Sequence, residues 1–570
     1  MRLSLLVLFW MGLSSHPHLS RAMTQSSSAG PPQVTTVVGR HLVFFRDKAN
    51  SPYSLTQPQA YLSARAITRR TRQNITIQPR DLPVNPAYVA QVKAVPGVQV
   101  WYTSRWFNAA VVVCDSATLA SLRKLPSVQG TQTLIRAQAA AAAPIAANPP
   151  APVPPATTTA PGRPTYGPAY GQAQMLGAVA MHDAGFRGEG IQIAVFDGGF
   201  SGVDRLPAFA PLFEEKRLLS TYNFVENNSS VYGRNEHGTQ CLSTMGANQP
   251  GFFVGTAPKA SYHLLVTEDV KSEHQVEEAN WLLAAEYADS VGVDIISSSL
   301  GYNDFDQPSL DYTYSDLNGR TALSSRAATV AARVGMLVVN SAGNEGSSPW
   351  RYVNAPADAD SILTVGAVDS VLMQRAVFSS VGPTADGRIK PALAAQGRAS
   401  AVLTAGGTVV NGNGTSYACP TLAGLVAGFW QANPTLTAQQ VIATLQRSGS
   451  QAARPDNELG YGIPDFGRAQ TLAAGTLLPV AAPAPAPGQL AVYPNPTRDD
   501  GLFLQLTPEF QKVALVVRLI DVRGRVVVEQ KVPATSAQQV ELRPGMLAKG
   551  TYTCSVSAGR VRRTVRFVKL

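Results

Sequence analysis

Four short motifs hold the side chains best suited to covalent chemistry. Asp197 ends an apolar run in Phe196-Asp197-Gly198-Gly199, and His237 stands in Glu236-His237-Gly238-Thr239 ahead of a helix-compatible run. Asn344 closes Ser341-Ala342-Gly343-Asn344, and Ser416 lies in Gly414-Thr415-Ser416-Tyr417-Ala418-Cys419-Pro420. Singly, each has a plain structural reading: a turn Asp before glycine, a core His, a turn Asn, a helix-capping Ser. Together they meet the needs of acyl transfer. A carboxylate orients an imidazole, the imidazole takes a proton, a hydroxyl attacks, and an amide N–H receives the developing oxyanion. A serine at a helix start suits the attacking role, because the N–H groups there favour negative charge.

Such residues need a rigid frame. Strand-like runs at 191–196, 293–298 and 336–341 alternate with helix-like runs at 276–290 and 320–333, which predicts a parallel α/β sheet. Asp197 and Asn344 then fall at the carboxyl ends of strands, where such sheets collect their working residues. Ser299-Leu300-Gly301 ends the strand at 293–298. The apolar run 422–430 predicts a buried helix with Pro420 in its first turn, which sets Ser416 at a helix start.

In this order, with these flanking motifs, the segment from about 166 to 473 resembles the subtilisin-like serine peptidases. Gly188-Glu189-Gly190-Ile191-Gln192-Ile193-Ala194-Val195, Phe378-Ser379-Ser380-Val381-Gly382-Pro383 and Gly387-Arg388-Ile389-Lys390-Pro391 are also similar to that family. The resemblance implies a subtilisin-like parallel sheet with helices on both faces and a secreted serine endopeptidase. It implies that Asp197 orients His237, that His237 takes the proton of Ser416, and that Asn344 and the Ser416 amide hold the oxyanion. Ser299, Leu300 and Gly301, with Ala342 and Gly343, would line the extended substrate. The chemistry would need no metal or cofactor; no Asp-rich calcium loop is visible, so structural calcium stays open. The sequence departs from the family at Gly198, where Thr is usual, and at Ala392, where Asp is usual. Cys241 and Cys419 lie four and three residues beyond His237 and Ser416. Free, buried thiols are the expectation, with a bond between them left open.

The rest of the 570 residues divides around this segment. Residues 1–22 read as a signal peptide whose apolar run of about 11 residues is well short of the ~20 that cross a bilayer. Residues 40–136 read as a small α+β unit, with strands at 41–45, 98–102 and 109–113 and helices at 58–69 and 116–124. Ala/Pro-rich linkers at 137–165 and 476–489 bracket a catalytic domain at 166–475. Residues 490–570 hold six short alternating runs and predict an all-β sandwich. The unit at 40–136 resembles the inhibitory propeptides of the same family. The tail resembles the sorting domains of type IX secretion, through Tyr493-Pro494-Asn495-Pro496, Asp521-Val522-Arg523-Gly524-Arg525, Gly550-Thr551-Tyr552 and the closing Phe567-Val568-Lys569-Leu570.

The formal charge of +10 is uneven: +10 over residues 23–136, −10 over 166–475 and +7 over 490–570. A basic unit ahead of an acidic one favours their docking, although packing is expected to set its specificity. The same unevenness removes any case for nucleic acid. The expected partners are protein or peptide substrates, the chain's own propeptide and a secretion machinery, with no stable membrane span. The expected location is the cell surface or the medium. The alternative is a catalytically silent surface adhesion or binding protein on a subtilisin scaffold.

Overall fold

The computed structural model describes residues 38–135, 163–477, 490–493, 497, 502–537, 539–542, 547–548, 550–559 and 561–569. The signal peptide at 1–22, most of both linkers and part of the Tyr493-Pro494-Asn495-Pro496 motif lie outside them.

The catalytic frame is a seven-stranded sheet. From one edge to the other run Leu393–Arg398, Leu363–Asp369, Leu337–Ser341, Ile295–Ser298, Gln192–Asp197, Ser261–Val266 and Leu218–Asn223. Every neighbouring pair is parallel. Parallel sheets of this kind are covered on both faces, which is why their strands read as nearly continuous apolar runs. In Gln192–Asp197 the division is explicit. Ile193 and Val195 pack into one core with Leu242, Met245, Leu422 and Val426, while Ala194 and Phe196 pack into the other with Trp281, Leu282 and Ala328. Helices His237–Gly246 and Thr415–Ala432 thus cover one face, and Gln275–Val291 and Leu323–Arg333 the other. The chain runs from Gln192–Asp197 out to the edge and back, then crosses to Ile295–Ser298 on the other side of that first strand. The crevice at this reversal is where such sheets bind ligands.

One expected feature differs. Helix Thr415–Ala432 starts before Ser416, so Pro420 lies inside the helix and not in its first turn. A proline there cannot bond the carbonyl four residues back, which leaves the Ser416 carbonyl open to other donors. Ser299 Oγ (2.8 Å) and Cys241 Sγ (3.3 Å) take it.

The N-terminal unit is an antiparallel sheet in the order Gln99–Ser104, Ala109–Cys114, Gly39–Phe45, Val128–Ile135. The helix expected over 58–69 is instead a short 3-10 turn, Pro58–Ala60, followed by helix Ala64–Arg72. The break comes at Ser63, whose hydroxyl accepts the Ala66 N–H (3.2 Å) and starts the helix afresh. The unit sits on helix Gln275–Val291, and Leu42, Trp106, Val111 and Leu134 join the core on that side of the catalytic sheet.

The charge asymmetry is concentrated in this seam. Buried Asp289 pairs with Arg69, with Arg70 (2.8 and 3.0 Å) and with Arg105, and Arg70 also holds Asp81 (3.0 Å). Glu286 accepts the backbone N–H groups of Arg105 (2.8 Å) and Trp106 (3.2 Å). Burial by itself would raise the Asp289 pKa, but Arg105, Arg69 and Arg70 outweigh it and hold the carboxyl at about 2. A carboxylate depressed in the docked state contributes fully above its ordinary pKa of about 3.9 and loses that contribution only as pH falls towards 2. Mild acid at pH 5 should therefore leave the ion pairs of Asp289 intact. Asp289→Asn removes the carboxylate shared by Arg69, Arg70 and Arg105, of which Arg70 keeps Asp81, and removing one partner of a buried ionic group costs about 3–5 kcal/mol. The affinity between the two units, measured by calorimetry after the linker is cut, should fall by roughly 10² to 10³-fold.

The C-terminal unit is the expected sandwich. Ala491–Tyr493, Leu502–Gln505 and Gln539–Leu542 form one sheet; Val526–Val532, Leu515–Ile520, Gly550–Ala558 and Val561–Lys569 form the other. Leu504, Phe510, Val517, Tyr552, Val556 and Phe567 fill the space between them, and no residue of the catalytic sheet enters that core.

Candidate active site

Asp197 is the last residue of its strand and is buried. Its Oδ1 accepts the Gly198 N–H (2.8 Å), and both carboxylate oxygens face His237 Nδ1 at 2.9 and 3.0 Å. Glycine at 198 follows from packing: a Cβ there would lie 2.6 Å from Val270 Cγ1, because the 267–274 loop covers this spot. Ala392, the other departure, is a buried member of the core.

His237 opens helix His237–Gly246, with its N–H on Asn235 Oδ1 (2.6 Å). The motif around it is steric. A Cβ at Gly238 would meet the Gly199 carbonyl at 2.4 Å and Asp197 Cβ at 2.9 Å, so only glycine lets this helix start approach the strand end. Thr239 Oγ1 ties the turn to the Ser201 carbonyl (2.7 Å). The imidazole side chain remains 34 % exposed, enough to be reached from the crevice.

Burial alone would lower the proton affinity of this imidazole, but the Asp197 carboxylate outweighs it and holds the pKa well above the usual histidine range. Cys241 Sγ lies 3.8 and 3.9 Å from the two ring nitrogens. Burial raises the pKa of that thiol, so it stays protonated at neutral pH and Asp197 is the charge that matters.

Ser416 is the second residue of its helix and is largely buried. Its Oγ donates a long hydrogen bond to the Ser299 carbonyl (3.5 Å). Cys241 contacts both the His237 ring and the Ser416 carbonyl, which places the two residues side by side.

Asn344, exposed just beyond strand Leu337–Ser341, accepts the Thr415 N–H on Oδ1 (2.9 Å). A backbone donor on the oxygen fixes the amide, so Nδ2 is turned away as a donor. A Cβ built at Gly414 would lie 3.6 Å from Ser416 N and 3.7 Å from Asn344 Nδ2. The missing side chain therefore leaves a small space flanked by two N–H donors.

The remaining expected residues gather at the same crevice. Ser299 and Leu300 are buried at the end of strand Ile295–Ser298, and Gly301 is exposed. The Leu300 carbonyl is already taken by Asn340 Nδ2 (3.1 Å). Ala342 and Gly343 bridge strand Leu337–Ser341 to Asn344, and Gly343 is tied to Thr415 Oγ1 (3.2 Å). All four cysteines are buried and free, so Cys241 and Cys419 are not bonded.

Two contributors were not evident from the sequence. Thr415 orients the Asn344 amide, and its only sequence signal is a hydroxyl residue directly before Ser416. The second hold on Ser416, through its carbonyl, is signalled by the proline four residues later. Among the described residues no helix is long and apolar enough to cross a membrane.

Comparison with known proteins agrees with this architecture segment by segment. Residues 40–147 match the peptidase S8 propeptide domain of Bacteroidota, 188–462 the subtilase family, and 491–569 the secretion system C-terminal sorting domain. Subtilisin NAT of Bacillus subtilis subsp. natto is 32 % identical over 297 residues, which cover 51 % of this chain and 68 % of that protein. Subtilisin E of Bacillus subtilis (strain 168) gives the same identity and coverage. A subtilisin of Bacillus pumilus is 31 % identical over 285 residues, 49 % of this chain and 91 % of its own length. An acid–imidazole pair at a strand end beside a serine-bearing helix, an N-terminal unit clamped on the same domain and a separate sandwich tail thus have one common explanation: the chain belongs to the subtilase family, as a secreted serine endopeptidase made as a zymogen and exported by type IX secretion.

Proposed function

We propose that Ser416 is the nucleophile, His237 the general base and then acid, Asp197 its orienting carboxylate, and Asn344 with the Ser416 N–H the oxyanion donors. The observation that carries this reading is the fixed imidazole: Nδ1 is committed to Asp197 at 2.9 and 3.0 Å, which leaves Nε2 to receive a proton. Rotation of the Ser416 side chain off the weak Ser299 contact presents Oγ to Nε2. As Oγ attacks the scissile carbonyl, its proton passes to His237, and the carbonyl oxygen moves into the space beside Gly414. His237 then protonates the leaving amine. Water attacks the acyl-enzyme by the same route in reverse, so each step is carried by groups of the chain itself.

The substrate backbone would lie along Ser299 and Gly301, because the Leu300 carbonyl is occupied internally, with Ala342 and Gly343 on the opposite wall. Substrates are proteins and peptides, among them this chain's own linker between Ala137 and Tyr166. The basic tail at 490–569 would be the part read by the export machinery.

A fluorophosphonate probe tests the assignment directly. It should label the matured protein at Ser416 alone and leave Ser416→Ala unlabelled; an unlabelled, folded wild-type protein would support the silent-scaffold alternative. Asn344→Ala should lower kcat by about 10² to 10³-fold with KM nearly unchanged, since the amide acts on charge present only in the transition state. Steady-state kinetics on a peptide substrate give both numbers, and a rise confined to KM would make Asn344 a binding residue.

A further inference from the structure

Apart from the residues of acyl transfer, three carboxylates crowd the loop that follows strand Ser261–Val266. One oxygen from each of Glu268, Glu273 and Glu277 lies within 4.8 Å of the other two. The loop is anchored at the reaction centre, where the Thr267 N–H donates to the Asp197 carbonyl (3.1 Å). The ion pairs nearby are made by other acids: Asp269 holds Arg234 (2.9 Å), and Asp306 faces His274 (3.8 Å). The three glutamates have no basic partner of this kind among the described residues.

Glu277 supplies a second, independent observation. Its side chain is fully buried in the first turn of helix Gln275–Val291. One oxygen, Oε2, caps that helix by accepting the His274 N–H (2.7 Å), while Oε1 is buried with no hydrogen-bond partner. Capping therefore explains only half of this carboxylate. A buried carboxylate oxygen without a donor is costly, and two more carboxylates beside it add repulsion. Glu268 relieves only part of this, through the Tyr302 hydroxyl on its Oε2 (3.0 Å).

We propose that Glu268, Glu273 and Glu277 bind a calcium ion that pins the 267–274 loop beside Asp197. The donor set is entirely hard oxygen, which suits calcium or magnesium over zinc. Calcium takes oxygens at 2.3–2.6 Å, so ligands on opposite sides stand roughly 5 Å apart; magnesium, at 2.0–2.1 Å, draws them to about 4 Å and keeps more of its water. Oxygens spread over as much as 4.8 Å match the larger ion. Such an ion would join a strand end, a loop and a helix start that are otherwise linked across mutually repelling groups.

The test uses the full-length Ser416→Ala chain, which cannot digest itself, and reads binding and stability without reference to activity. The protein is stripped of divalent ions with a chelator, and its thermal midpoint is followed with and without calcium beside Glu273→Gln and Glu268→Gln on the same background. Without calcium each variant should be as stable as its parent or more so, because one of three crowded acidic groups is replaced by a neutral amide. With calcium a hundredfold above its dissociation constant, the parent should gain about 5 °C and the variants much less, so the order reverses. Equilibrium dialysis should show one calcium fewer per chain in each variant. Equal calcium gains and equal stoichiometry in parent and variants would overturn the proposal. So would a variant displaced from the parent by the same amount in both buffers, which is the signature of a purely structural role. Either variant alone decides the outcome if the other does not fold.

Discussion

Ser416→Ala is expected to reduce peptide hydrolysis by about 10⁶-fold, the scale of loss when the nucleophile of such a triad is removed. The fold should survive. The hydroxyl gives up only a 3.5 Å contact with the Ser299 carbonyl, whereas the main-chain hold of Ser299 and Cys241 on residue 416 remains. The variant should therefore accumulate as an uncut chain whose N-terminus still includes the unit at 40–136, docked through Asp289. Turnover of a peptide substrate and N-terminal sequencing of the purified chain read both effects. Near-normal turnover by the folded variant would remove Ser416 from the mechanism, and an N-terminus beyond 136 would show that another peptidase performs the maturation.

Asp197→Asn should cost about 10⁴-fold in kcat without disturbing the strand. The Gly198 N–H would keep the amide oxygen at the Oδ1 position. The amide nitrogen then faces His237 Nδ1, which must accept a hydrogen bond, and the imidazole proton is left on Nε2. In that tautomer the ring donates toward Ser416 when it should accept. The pH profile should move as well. Because Asp197 holds the imidazole above its usual range, the acid limb of kcat/KM in the parent should lie above about 6.5, with activity lost as pH falls and the base becomes protonated. Without the carboxylate only the burial effect remains, so the limb of the residual activity should shift to lower pH. An unchanged limb would mean that the titrating group is not this imidazole.

The legible part of this structure was the part written in contiguous residues. Parallel strands buried on both faces announce themselves as apolar runs, so the strand ends bearing Asp197 and Asn344 were placed to within a residue or two. The helix starts at His237 and Ser416 followed from motifs of a few residues. What escaped depends on segments far apart in the chain. The role of Thr415 requires Asn344, 71 residues earlier, to be beside it. The absence of a side chain at 198 makes sense only once Val270 is seen to fill that spot. The docking seam was anticipated as general charge complementarity, yet its focus on Asp289 arises because Arg69 and Arg70, from helix Ala64–Arg72, and Arg105, just after strand Gln99–Ser104, meet only on the folded helix. Helix Ala64–Arg72 was extended too far back because a capping hydroxyl at Ser63 outweighs the run of helix-compatible residues around it.

Pro420 sets a limit on how this enzyme can be improved. By helix propensity alone, proline in a helix interior is about 3 kcal/mol worse than alanine, so a search for greater thermal stability would single it out for replacement. Any other residue at 420, however, brings an N–H to within reach of the Ser416 carbonyl and competes with Ser299 and Cys241 for it. The gain in helical order would come out of the alignment of the serine. At this one position, robustness and turnover draw on the same lone pairs.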